Sequence, residues 1–213
     1  MKRTTPVVLL APLVAGCTLF GVRSGYEQPS YQVTDQVGKV EIRTYGPRLV
    51  AQTIVEAQDE PSARSAAFRI LAAYIFGDNV AKDDIAMTTP VAVERQSETI
   101  AMTTPVETSA IDGGRYAMRF FLPSSYTLET VPAPTDSRVQ LAVAPANTLA
   151  VLRFTGSRKP QAVAERAEEL LQVLADSKWQ PVGRPFSLFY DPPWTISFLR
   201  RNEVVVTVEP KRG

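Results

Sequence analysis

The chain has 213 residues, 45% of them hydrophobic, which suits one ordinary globular domain with its own core. Lys and Arg number 23 against 22 Asp and Glu, so a net charge of +1 gives neither nucleic acid nor an acidic membrane surface a reason to bind. With no histidine and a single cysteine, Ser-His-Asp catalysis, Cys-His catalysis and Cys/His zinc sites are excluded, and no disulfide can close within the chain.

Lys2 and Arg3 lead into an apolar run from Val7 to Ala15, too short to span a bilayer, and then Val14-Ala15-Gly16-Cys17. This resembles a bacterial lipoprotein signal, which implies that residues 1–16 are cut away and that lipid is attached to the Cys17 sulfur. Thr18 follows the cysteine rather than Asp, so the resemblance implies the outer membrane, with the protein facing the periplasm and touching the membrane through its anchor alone. Residues 17–29, containing Gly21, Ser24, Gly25 and Pro29, read as a tether, and residues 30–210 as the folded domain.

Lys39 to Thr44 alternates Val40 and Ile42 with Lys39, Glu41 and Arg43, the pattern of a half-buried strand, and Leu49 to Glu56 is expected to return beside it as a hairpin. Asp59-Glu60-Pro61 starts a helix with a capping carboxylate and a proline in the first turn. Its apolar stripe is Phe68, Leu71, Ala72 and Ile75, flanked by Ala67 and Tyr74, and Gly77 ends it as a left-handed cap.

Next comes a phrase stated twice, Ile-Ala-Met-Thr-Thr-Pro-Val, at residues 85–91 and 100–106. The copies start fifteen positions apart, too close for a solenoid repeat but right for two strands and a turn. Met87 and Met102 then share a face if the intervening loop is even, where they either line a site or fill a core. Arg115 to Leu122 makes a further strand, and Val139 to Ala144 with Leu149 to Phe154 a second hairpin. A second helix runs from Pro160 to about Asp176, with Val163, Ala167, Leu170, Leu171 and Leu174 on its apolar side. Phe186 to Tyr190 and Glu203 to Val208 are the last strands. Val40 corresponds to Val139 and Pro61 to Pro160 at the same offset of 99, which predicts a pseudo-twofold repeat of an α+β unit.

Tyr74-Ile75-Phe76-Gly77-Asp78-Asn79, the doubled phrase, Phe120-Phe121-Leu122-Pro123, Tyr190-Asp191-Pro192-Pro193-Trp194 and Arg200-Arg201-Asn202-Glu203-Val204 together resemble the SOUL haem-binding protein family, in order from about Tyr31 to Glu209. The resemblance implies a distorted antiparallel β-barrel of two sheets with two flanking helices, a fold similar to gyrase-inhibitor-like effector-binding domains. It also implies a monomer that binds haem or a related tetrapyrrole, a flat apolar plate with two carboxylates. The residues it suggests for the plate are Phe68, Leu71, Ala72, Ile75, Met87, Met102, Tyr190 and Trp194, with Arg64, Arg69 and Arg200 for the propionates. Histidine ligation is impossible here, which leaves Met thioether, Tyr phenolate or Lys amine as iron ligands. The chain departs from the family pattern at Ala73, where a lysine often stands, and at Thr195.

The residues by themselves leave alternatives open. Arg200-Arg201-Asn202-Glu203 is either a turn whose arginines pair nearby carboxylates or the rim of a pocket that grips a ligand carboxylate. Tyr190 and Trp194 form either an aromatic wall or ordinary core and turn. Other functions open to such a fold are binding of another amphipathic small molecule, or hydrolysis of one by a buried Glu or Tyr base. An inward, perturbed carboxylate would mark the enzyme, and an apolar cleft with a basic rim the binding protein. No catalytic residue and no metal site is assigned.

Overall fold

A computed structural model describes residues 27–80, 106–111 (backbone only), 114–191 and 194–211. Cys17, Met87 and Met102 lie outside the described residues, as does nearly all of the doubled phrase. In chain order the elements are β1 (Tyr31–Val37), β2 (Val40–Tyr45), β3 (Arg48–Glu56), α1 (Glu60–Ile75), β4 (Asn79–Val80), β5 (Val106–Ile111) and β6 (Arg115–Phe121). They continue with β7 (Ala133–Pro134), β8 (Gln140–Ala144), β9 (Asn147–Phe154), α2 (Pro160–Ala175), β10 (Trp179–Phe189), a single 3₁₀ turn (Ser197–Leu199) and β11 (Asn202–Pro210).

Nine strands form one sheet in the order β1-β2-β9-β11-β10-β5-β6-β3-β8, and β4 pairs with β7 in a short separate ribbon. Every pairing is antiparallel. The α+β class with two helices therefore holds, but the expected barrel of two sheets does not. Among the described residues one sheet runs from edge β1 to edge β8, and no pairing closes it.

The repeat is visible in the topology. Exchanging β2 with β8, β3 with β9, β5 with β10 and β6 with β11 reverses the order of those eight strands and reproduces it. The two halves meet where Ser187, Leu188 and Phe189 of β10 face Thr108, Glu107 and Val106 of β5.

The expected hairpins β2–β3 and β8–β9 are a correction. β2 pairs with β1 and β9, while β3 pairs with β6 and β8, so each half lends its first strand to the other half. The links explain why. A two-residue hairpin turn needs a positive φ, and Gly46-Pro47 and Pro145-Ala146 have none, so the chain turns a corner instead of doubling back. The true opening hairpin is β1–β2, where Gly38 at φ 58 takes the first central position of the turn between Val37 and Val40, as a type II′ turn requires.

Helix α1 follows its sequence signals. Asp59 accepts a hydrogen bond from the Ser62 N–H at 2.8 Å. At the other end Gly77 has φ 119, and the Asp78 N–H reaches the Ala73 carbonyl at 2.9 Å, closing a Schellman motif. Its buried residues are Ala63, Ala67, Leu71, Tyr74 and Ile75, so the stripe is centred about one position earlier than expected and leaves Phe68 and Ala72 half-buried at its edge. In α2, Leu170 and Leu174 are buried, while Leu171 is exposed and Val173 takes its place against the core.

Both helices cover the same side of the sheet. Register carries Val204 to Ser187, Thr108 and Met118 in turn, and Val204 packs in the α2 cluster while Met118 packs in the α1 cluster. One core holds Leu71, Tyr74 and Ile75 against Ala51, Met118 and Phe120. The other holds Leu170 and Leu174 against Ile42, Leu152 and Val206. Each fully buried Leu or Ile contributes about 1.5–3 kcal/mol relative to exposure. A third cluster, with Tyr45, Leu149, Leu188, Tyr190 and Val205, lies on the opposite face, where neither α1 nor α2 packs.

Candidate functional site

On the helix-free face, β2 presents Glu41, Arg43 and Tyr45, because Val40 and Ile42 take the other side of the strand. Across the sheet β11 presents Glu203, which has no exposed surface. Its Oε2 accepts from Arg43 Nη1 at 3.0 Å and from the Tyr190 hydroxyl at 2.6 Å, and its Oε1 accepts from Arg201 Nε at 3.0 Å and Nη2 at 2.8 Å. Arg43 is 2% exposed and also forks onto Glu41 Oε2, from Nε at 2.8 Å and from Nη2 at 2.7 Å. Its guanidinium sits 4.5 Å from the Tyr31 ring centre, and that of Arg201 lies 3.9 Å from the Tyr190 ring centre.

Electrostatics keep the tyrosines and Arg43 of this network in one protonation state at neutral pH. Burial pushes the Tyr190 phenol well above its ordinary value, and the neighbouring Glu203 charge pushes it further. Burial also raises Tyr45, although Arg43 opposes it. Burial alone would lower Arg43, but the attraction of Glu203 and hydrogen bonds to Tyr45 and Glu41 outweigh it, so it is held as a cation far above neutral pH. Each oxygen of Glu203 already accepts two hydrogen bonds, so the buried carboxylate has no open face with which to take a proton from a ligand. That geometry is a scaffold rather than a general base.

Above the network is a cleft of about 380 Å³, counting the part open to solvent. Tyr31, Tyr45 and Tyr190 line it together with Phe186, Leu188 and Arg48. Arg48 lies 4.4 Å from the Tyr45 ring centre and donates from Nη2 to Asn147 Oδ1 at 2.7 Å. Gln28 and Pro29, from the segment expected to be a tether, form part of the wall.

The other side of the sheet carries a second feature. Phe189 lies between Arg64 and Arg158, whose guanidiniums are 5.3 and 4.9 Å from its ring centre. Arg158 also donates to the Asp191 carbonyl at 2.8 Å and to Asn202 Oδ1 at 2.7 Å, which ties the loop between β10 and β11 to the start of α2. Trp194 and Phe198 stand out from that loop, 61% and 70% exposed. Arg200 braces it from within by donating to the Thr195 carbonyl at 2.7 Å.

A model of the SOUL heme-binding protein family matches residues 26–207. The chain belongs to that family. Mouse heme-binding protein 2 is 29% identical over 189 residues, covering 84% of each chain. The fold is shared more widely: the crystal structure of the EcmrR C-terminal domain superposes with a TM-score of 0.56 at 12% identity, covering 85% of this chain and 99% of that one. A structure titled as a hydrolase from Listeria innocua gives 0.51 at 10% identity, covering 83% and 94%. These two likenesses concern the fold alone.

The SOUL-like residues picked from the sequence do not converge on one place. Leu71 and Ile75 are 0% and 1% exposed within the core and have no surface left for a ligand. Phe68 is half-buried with its ring 5.6 Å from that of Phe120, Ala72 is half-buried, and Arg69 is exposed. Arg64 reaches the Phe189 seam on the helix side, whereas Tyr190, the next residue along, faces the cleft on the other side. Strand alternation divides the set between two faces. In Arg200 to Glu203, Arg201 pairs with Glu203, as the turn reading has it, and Arg200 donates to the Thr195 carbonyl within its loop. Sequence reasoning missed Tyr31, Tyr45, Arg43 and Arg48. The available signal was the β2 alternation itself, whose polar face was taken for solvent.

Proposed function

We propose that this SOUL-family chain binds haem or a related tetrapyrrole on the helix side of its sheet, as an envelope protein anchored at Cys17. The family match over residues 26–207 carries the reading. With no histidine in the chain, iron cannot be held by imidazole, so apolar contacts and charge must supply most of the affinity.

The Phe189 seam suits such a ligand in two respects. Arg64, which also pairs with Glu60, and Arg158, which also holds Asp191 and Asn202, put two positive charges beside Phe189, and Phe68, Trp194 and Phe198 keep apolar surface exposed in whole or in part. Haem would supply its own redox-active iron when bound, and the chain's residues hold the plate and neutralise its edge. Met87 and Met102 are the thioether candidates and fall outside the described residues. Burial contributes roughly 25 cal/mol per Å² of apolar surface, against substantial ordering costs, which leads to micromolar affinity, about −8 kcal/mol.

The test is an absorbance titration of the full chain in detergent with haem and with zinc protoporphyrin. The expected result is saturable one-to-one binding of both, lost in the double variant Trp194→Asp with Phe198→Asp. Those side chains are exposed, so the fold should survive, whereas Phe68 packs on Phe120 and is a poorer target. Unsaturable binding, or binding indifferent to the variant, would remove the proposal. For the anchor, a Cys17→Ser chain that stays in the membrane fraction would refute lipidation.

A further inference from the structure

We infer that the loop between β10 and β11 rests on the lipid bilayer, with Trp194 and Phe198 as the side chains that enter the headgroup region. This rests on the reading that Cys17 carries lipid, and it goes beyond the expectation that the anchor alone touches the membrane.

The loop has the polarity of a membrane-facing surface. Phe198 at 70% and Trp194 at 61% are the two most exposed large apolar side chains among the described residues. Within residues 194–201 the exposed positions are Trp194, Ser197 and Phe198, none of them charged. The charged groups turn inward instead. Arg200 donates to the Thr195 carbonyl, Arg201 pairs with Glu203, and the buried Asp191 accepts from the Arg201 N–H at 2.7 Å. A surface loop ordinarily shows its charges and covers its rings. An indole and a phenyl ring held outward suit a boundary that is apolar on one side and wet on the other.

The rings are presented by a braced backbone. Thr195 is buried, Gly156 donates to the Ser197 carbonyl at 2.9 Å, and Arg158 holds the Asp191 carbonyl at 2.8 Å. A loop fixed in this way gives up little freedom on contact.

The position of the amino-terminal segment selects the bilayer as the surface. Gln28 Oε1 accepts from Arg201 Nη1 at 3.2 Å, so the chain enters the domain at the foot of this loop. From Cys17 to Gln28 the covalent chain reaches at most about 40 Å. A lipid on Cys17 therefore keeps the loop at high effective concentration beside the bilayer, where two side chains suffice for a contact that they would not sustain from solution.

Tryptophan emission from the ligand-free protein, isolated from the membrane fraction and placed in vesicles whose lipid tails carry bromine near the headgroups, tests the contact. The chain has two tryptophans, and Trp179 starts β10 about 30 Å along the strand from the loop, which makes it the internal reference. Brominated vesicles should remove about half of the emission seen in plain vesicles, the share of one tryptophan in two. Trp194→Phe, which leaves Trp179 alone, should show no such loss, and Phe198→Ser should weaken the quenching of Trp194. Both substituted side chains are exposed, so the fold should persist. Vesicle flotation separates the two readings. A chain that floats but is quenched equally with and without Trp194 overturns the loop contact and leaves the anchor standing, whereas a chain that does not float removes both. Emission that shifts with protein concentration in detergent, and not with lipid, assigns the rings to a second copy and overturns the inference. Haem is absent throughout, so the tetrapyrrole reading stands or falls separately.

Discussion

The α1 half and the α2 half share a topology and are held by different physics. Helix α1 has a carboxylate cap at one end, a Schellman motif at the other and five buried side chains, and its carboxy-terminal end is tied down by the Tyr74 hydroxyl on Pro132 and by Asn79 Nδ2 on the Tyr74 carbonyl. Helix α2 has Lys159 at its N-cap with no side-chain hydrogen bond, and it buries only Leu170 and Leu174 fully. Its half carries instead the ionic network around Glu203 on the far side of the sheet, fed by Arg43 from the strand lent by the other half. A repeat can thus keep one chain path while one copy becomes locally self-sufficient and the other depends on long-range charges.

Glu203→Gln is the largest expected break in this comparison. It removes the buried carboxylate that Arg43 and Arg201 share and leaves Arg43 only the partly exposed Glu41, and breaking a buried pair in this way costs about 3–5 kcal/mol. A fall of that size in the chemical-denaturation free energy supports the network as the element that holds the α2 half. A fall below about 1 kcal/mol would show the pair to be no more than a surface bridge.

A tyrosinate absorbance titration sharpens the comparison. Among the described tyrosines, Tyr45, Tyr74 and Tyr190 are raised, each with burial as the largest cause. Their folded values lie above the unfolded value of about 10, so the stability they confer is complete below about pH 10 and is lost as pH rises beyond it. Those three phenols should stay neutral until alkaline unfolding. Glu203→Gln should let Tyr190 ionise earlier, since it removes a charge that raises it, while Tyr74 in the α1 half does not move. Equal shifts in both would contradict a localised network.

The helix caps give the smallest effect. Lys159→Asp should supply α2 with the cap that α1 already has, a gain of about 1 kcal/mol. Asp59→Ala should lower the thermal midpoint by roughly 2–4 °C at neutral pH. The Ser62 N–H lowers the Asp59 pKa, so this contribution is present above about pH 4 and fades as pH falls below it. Thermal melts at pH 7 and pH 3 would check both, and an Asp59→Ala effect unchanged at pH 3 would show that the cap is not the carboxylate.

The sequence by itself determined the family, the α+β class and the two helices almost to the residue, from Asp59 to Gly77 and from Pro160 to Asp176. Helix ends are written in residues a few positions apart, and periodicity reports burial within one element. It also carried the repeat, through an offset that survives in the strand order. Pairing partners were not legible. Gly46-Pro47 and Pro145-Ala146 look like hairpin breaks, but their backbone angles send each strand to the other half. β1 was missed because it is an edge strand with a bulge near Val33 and only Val37 packed on the core, so it leaves no burial pattern. The cleft was decided by tertiary structure alone. Glu41, Arg43 and Tyr45 alternate as a solvent-facing strand should, and only the arrival of Glu203, far along the chain, turns that polar face into a buried ionic floor. Alternation says which residues share a face, and the chain that covers that face lies beyond the reach of local pattern.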